Sequence, residues 1–92
     1  MRITAELSLY PLQDDPIPVI LEFIRGLDGR NSLEIVVNQM STQIRGDLDD
    51  VVGCINEALR RSFAGGGAQV LVAKFLNSDL PIGEAPELDD AR

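Results

Sequence analysis

The chain has no histidine and no tryptophan, a single cysteine, and few aromatics, one Tyr and three Phe. Without histidine, His-based triads and His/Cys zinc sites are excluded. One cysteine rules out a disulfide within the chain and the Cys-x-x-Cys pair of a metallochaperone. The few aromatics, with none in the predicted third strand, exclude an RNA-recognition surface that stacks bases on its central strands. Basic residues are also scarce, eight Lys+Arg against fifteen Asp+Glu for a net charge of −7. Nucleic-acid binding draws most of its affinity from cations meeting phosphates, so no nucleic-acid partner is expected. No apolar run approaches the roughly 20 residues needed to cross a bilayer, so membrane insertion is not expected. The segment Met1-Arg2-Ile3-Thr4-Ala5-Glu6 runs straight into a strand without the pattern of a signal peptide. The default reading is a cytoplasmic protein.

What remains is an ordinary globular composition, 45% apolar and 25% charged over 92 residues, enough for one domain with a real core. Residues 3–10 alternate, with Ile3, Ala5, Leu7 and Leu9 on one face and Thr4, Glu6, Ser8 and Tyr10 on the other, the mark of a half-buried strand. Pro11 ends it. Asp15 reads as an N-cap and Pro16 as the first position of a helix over 16–27, whose apolar spacing is Ile17, Ile20, Leu21, Ile24, Leu27. Gly29 suits a left-handed cap. Residues 33–37 are short and β-branched, a second strand; 41–46 form a third, joined to it as a hairpin. Asp47 caps a second helix, with Asp49 and Asp50 where the helix dipole favours acids and a stripe of Leu48, Val51, Val52, Ile55 and Leu59. Gly65-Gly66-Gly67 ends that helix. These glycines follow a helix and precede no Lys-Ser/Thr, so they are not a phosphate loop. Residues 68–76 form a fourth strand, apolar on both faces. Domain 1–82 is expected to end in a flexible acidic tail over 83–92.

The order β-α-β-β-α-β, with right-handed crossovers, predicts an α+β, ferredoxin-like sandwich. It has a four-stranded antiparallel sheet in the order 4-1-3-2 and two helices on one face. The other face is expected to be bare, with Leu71, Ala73 and Phe75 beside Glu6, Ser8 and Tyr10. Such a mixed surface points to a homodimer or dimer of dimers that buries it around a ligand.

The fold hosts many activities, so chemistry has to come from particular residues. An acylphosphatase-type enzyme needs an arginine in the loop after strand one, where this chain has Gln13-Asp14-Asp15. Asp14 and Asp15 read either as a carboxylate pair or as loop and helix cap. Cys54, beside the second helix's stripe, reads as a small packing residue. Tyr10 serves to stack on a ligand or to cover the sheet. Ser41 and Thr42 are either ordinary strand residues or, beside the turn at Asn38, part of a cluster of small polar groups suited to binding. No nucleophile–base pair is present, so no catalytic residues are assigned, and no metal or cofactor is called for.

Two stretches, Arg2-Ile3…Ser8-Leu9-Tyr10-Pro11-Leu12…Asp14-Asp15 and Met40-Ser41-Thr42…Arg45-Gly46-Asp47, resemble the YkoF-like family of thiamin- and hydroxymethylpyrimidine-binding proteins. The likeness runs from about residue 2 to 83 and includes Pro81-Ile82-Gly83. It implies a ferredoxin-like domain that binds thiamin through its pyrimidine, without catalysis, in uptake or salvage of the vitamin. The family's name-giving protein carries two such domains in tandem, which a homodimer of this chain would rebuild. Ser8, Tyr10, Asn38, Ser41 and Thr42 are the motif positions the resemblance carries over as ligand-binding. The alternative is an assembly or regulatory module whose sheet face meets another protein.

Overall fold

Alternation in the first strand sets the interior. A computed structural model describes residues 1–27 and 32–88; in it Ile3, Ala5, Leu7 and Leu9 are all buried. The elements are β1 (Arg2–Pro11), α1 (Ile17–Leu27), β2 (Glu34–Val37), β3 (Thr42–Asp47), α2 (Leu48–Ala64) and β4 (Gln69–Leu76). The sheet is antiparallel throughout, in the order β2-β3-β1-β4, the predicted arrangement. Both helices pack on the Ile3/Leu7 face, where Phe23, Leu27, Ile44, Val51, Cys54 and Ile55 complete the core. Each large apolar side chain buried there contributes about 1.5–3 kcal/mol by leaving water. None of the described helices is long and apolar enough to cross a membrane. The predicted cap at Gly29 lies outside the described residues.

Helix faces are rotated from expectation. In α1 the buried residues are Phe23 and Leu27, with Val19 packed against them, whereas Ile17 and Leu21 are exposed. The apolar residues of this helix cover more than half of its circumference, so spacing alone did not select which part faces inward. In α2 the buried line is Val51, Cys54, Ile55 and Ala58, and Leu48 and Val52 are exposed. Small side chains line the inner face because α1 lies close: a Cβ on Gly26 would sit 3.7 Å from the Ala58 Cβ. Cys54 is buried as expected, and its thiol donates to the Leu27 carbonyl at 3.3 Å. At the start of α1, Ile20 N–H bonds to the Pro16 carbonyl, so Pro16, not Asp15, stands at the cap and the helix begins one residue later than predicted. Asp47 caps α2 as expected, accepting from Asp49 N–H.

The expected composition of the bare face is corrected by the β1–β4 register. Leu71, Ala73 and Phe75 lie opposite Leu9, Leu7 and Ala5 and so belong to the helix side. The residues beside Glu6, Ser8 and Tyr10 are Lys74, Val72 and Val70. Nor is the face entirely bare. After β4 the chain turns back across the sheet as a strap over residues 77–83. Thr4 Oγ1 donates to the Ser78 carbonyl and accepts from Leu80 N–H, both at 2.9 Å. Arg45 donates to the Leu80 carbonyl, Ile82 is buried, and Gly83, at φ 82°, lies against Val36.

Candidate functional site

Strand register arranges the face away from the helices in transverse rows, because directly opposed residues of antiparallel strands share a face. The first row is Glu34, Arg45, Thr4 and Leu76; the second is Val36, Gln43, Glu6 and Lys74. Ser8 and Val72 make the third, Tyr10 and Val70 the fourth. The strap covers the first row. Beyond it the face grades from a charged row to an aromatic and aliphatic one, about 13 Å apart along β1.

Glu6 lies at the centre of the charged row. Its Oε2 accepts from Ser41 Oγ at 3.1 Å and Gln43 Nε2 at 3.5 Å. Its Oε1 lies 3.6 Å from Lys74 Nζ. Ser8 Oγ donates to the Met40 carbonyl at 3.3 Å, and the Asn38 N–H to Ser41 carbonyl bond, 2.8 Å, closes the β2–β3 turn that presents both. Tyr10, Val70 and Val72 are about half exposed. The arrangement offers a carboxylate, two hydroxyls and an amide next to apolar surface, a set suited to binding a small polar molecule. Among the described residues no group of three or more His, Cys, Asp or Glu converges to hold a metal.

Of the residues singled out from sequence, the structure brings Ser8 and Ser41 together and sets Tyr10 two residues further along the same face. Asn38 is exposed at the turn. Thr42 is separated from them. It lies opposite Leu7 and Val37, on the helix side, and is 4% exposed. A one-residue step along a strand reverses the side-chain direction, so Ser41 and Thr42 cannot both face one pocket. Sequence reasoning passed over Glu6, Gln43 and Lys74. The signal for Glu6 was present, since it alternates in phase with Ser8 and Tyr10. Gln43 needed the hairpin register, and Lys74 needed the pairing of the chain's two ends.

At the strapped end, Arg45 holds Glu34 at 2.8 Å. Its buried Nε lies 3.5 Å from Asp79 Oδ1, an ion-pair contact without hydrogen-bond alignment. Arg2 also reaches Asp79, at 3.0 Å. Asp47 accepts from the terminal amine of Met1 at 3.2 Å. That bond, and then the one from Asp49 N–H, hold its carboxyl below the ordinary 3.8. A separate concavity lies on the far side of the molecule between α1 and α2, lined by Phe23, Gly26, Ala58 and Arg61; it shares no residue with the sheet face.

The sequence profile of the YKOF-related family matches residues 2–73. Among solved structures, the chain is similar to a Thermotoga maritima protein provisionally assigned to thiamine biosynthesis or salvage. The TM-score is 0.79 and the identity 17%, with each chain covered in full. A Streptococcus pneumoniae protein gives a TM-score of 0.75 at 24% identity, over 99% of this chain and 97% of the other. A hypothetical protein from Methanocaldococcus jannascii gives 0.72 at 21%, over 98% and 91%. At these identities the likeness speaks for the fold. No curated protein matches the sequence.

Proposed function

The chain belongs to the YKOF-related family, and on that footing we propose that it is a non-catalytic binding protein for thiamin or its hydroxymethylpyrimidine part, acting in the cytoplasm in uptake or salvage of the vitamin. The observation that carries this reading is the graded sheet face left uncovered by the strap: Glu6, Ser41, Gln43 and Ser8 at one end, Tyr10, Val70 and Val72 at the other. An aminopyrimidine presents a ring-nitrogen acceptor beside an amino donor. Hydroxyl, amide and carboxylate groups can match that pattern, and Tyr10 can cover a ring. The assignment of the Thermotoga maritima relative to thiamine metabolism agrees with it. Ser8, Tyr10, Asn38 and Ser41 are the proposed contacts; Thr42, buried on the helix side, is not among them.

A ligand that binds only the folded state raises its melting temperature, so a thermal-shift panel tests the reading. Thiamin and hydroxymethylpyrimidine should stabilise the protein, and the free thiazole and the 4-oxo pyrimidine analogue should not. Each reversed donor–acceptor pair costs about 1–3 kcal/mol. Equal shifts from thiazole, or no shift with any of them at millimolar concentration, would reject it.

One observation favours a second reading, an assembly module. β4 is an edge strand of eight residues whose Val70, Val72, Phe75 and Leu76 are all at least 44% exposed. Such an edge is open to pairing with another chain. The proposed state is a homodimer or dimer of dimers, with Phe75→Glu expected to dissociate it. Light scattering that gives the 10.0 kDa monomer at micromolar concentration would remove the oligomer from either reading.

A further inference from the structure

Glu6 has an unequal environment. Neutral donors from Ser41 and Gln43 hold Oε2, while among the described residues Oε1 meets an ammonium group alone, Lys74 Nζ, at 3.6 Å. Lys74 is the one lysine in the chain, in a protein of net charge −7. Its side chain is 78% exposed and Glu6's is 37% exposed, so the ion pair sits at the mouth of the uncovered face. A pair of this kind is weak, because a long side chain loses rotamer freedom to make a contact that water screens. A carboxylate accepts about four hydrogen bonds, so capacity remains at Oε1.

We propose that Lys74 is an exchangeable stand-in for the ligand's own cation: the uncovered sheet face selects a flat cation with N–H donors, which takes Oε1 of Glu6 and releases the Lys74 ammonium to solvent. Val72, opposite Ser8 and in the row next to Glu6, and Val70, opposite Tyr10, supply the apolar bed for its ring. Charge-assisted hydrogen bonds to a carboxylate fixed from behind are stronger than neutral ones, so the charge of the ligand counts for more than its shape. The inference rests on reading this face as the binding site but does not depend on the ligand being thiamin.

Calorimetry of the full chain with benzamidine, a flat amidinium, and benzamide, its neutral near-isostere, provides the test, with thiamin run in parallel. Lys74→Met removes the competitor and should tighten benzamidine by about two- to fivefold, the range of an exposed ion pair. Glu6→Gln should weaken it by about tenfold or more, and benzamide should respond to neither substitution. Both positions are at least partly exposed, so unchanged melting temperatures are expected and confirm folding. Benzamidine that binds no better than benzamide, or is unmoved or weakened by Lys74→Met, overturns the proposal. If thiamin binds equally to all three proteins, the inference fails and the thiamin reading survives. If benzamidine follows the pattern and thiamin gives no heat, the inference holds and the thiamin reading fails.

Discussion

The two ends of the open sheet face are built from the same kinds of residue and behave differently. At the strapped end, Thr4 is 7% exposed with two bonds of 2.9 Å, and Arg45 meets Glu34 at 2.8 Å. At the uncovered end the side-chain contacts of Glu6 and Ser8 run from 3.1 to 3.6 Å, longer than those bonds of Thr4 and Arg45. Hydrogen bonds weaken toward the long end of this range. The strapped polar groups hold the chain together, whereas those beyond the strap have bonding capacity to give to a ligand. A hydroxyl's role is set by what crosses over it, not by its residue type.

The largest effect should come from removing the strap. Ending the chain after Leu76 loses the burial of Ile82 and the bonds to Thr4 and Arg45, together about 3–5 kcal/mol. That is a large share of a small domain's stability, and chemical denaturation measures it directly. Ending it after Gly83 should leave the melting temperature unchanged, since residues 84–88 are exposed; a drop would show that the acidic tail docks.

Thr4→Val comes next. It keeps shape but leaves the Ser78 carbonyl and Leu80 N–H without their partner, costing about 1–2 kcal/mol. A melting temperature unmoved by Thr4→Val would erase the distinction between the two ends.

A smaller effect concerns pH at the rim of the strapped end. The Asp47 carboxyl is held below its ordinary 3.8, first by its bond from the N-terminal ammonium. A lowered folded value means that its contribution is complete above 3.8 and is lost as pH falls through the folded value. The melting temperature should therefore decline below that pH, and less steeply in Asp47→Asn, which keeps a capping oxygen.

The smallest effect belongs to the uncovered end. Ser41→Ala should change stability by no more than about 0.5 kcal/mol, as at most surface positions, while the thermal shift given by thiamin shrinks. A destabilisation as large as that of Thr4→Val would make Ser41 structural.

The sheet, its strand order and the Asp47 cap were legible in the sequence because each rests on a local pattern: period-two alternation in 3–10, a short hairpin, an acid before an amphipathic run. The helix faces were not. α1 carries apolar groups over more than half of its circumference, wider than the face it buries, and α2 hides Cys54 and Ala58, small residues that do not stand out in a stripe. Which face of β4 joins Glu6 depends on a register set between the two ends of the chain, and alternation alone leaves two choices. Ser8 and Ser41 could be found from their motif positions. Glu6 could be placed on their face by alternation, but its role could not, because a glutamate on a polar strand face looks like a solvated one until Ser41 and Gln43 are seen to hold it. The strap was legible only in part: residues 77–82 read as the end of the domain, but Pro- and Gly-rich sequence has no periodicity to show that they cross the sheet and bury Ile82.

The single cysteine has a consequence for how the molecule can be observed. Cys54 is 2% exposed, between α1 and α2, so a thiol reagent reaches it only when that packing opens. The rate of labelling in native buffer then reports the free energy of that opening, without a probe being introduced. Sheet-face events leave this seam untouched, so a ligand that slows Cys54 labelling would be rigidifying the whole sandwich. A ligand that leaves the rate unchanged while raising the melting temperature would show that the helices open locally, by a motion in which the sheet takes no part.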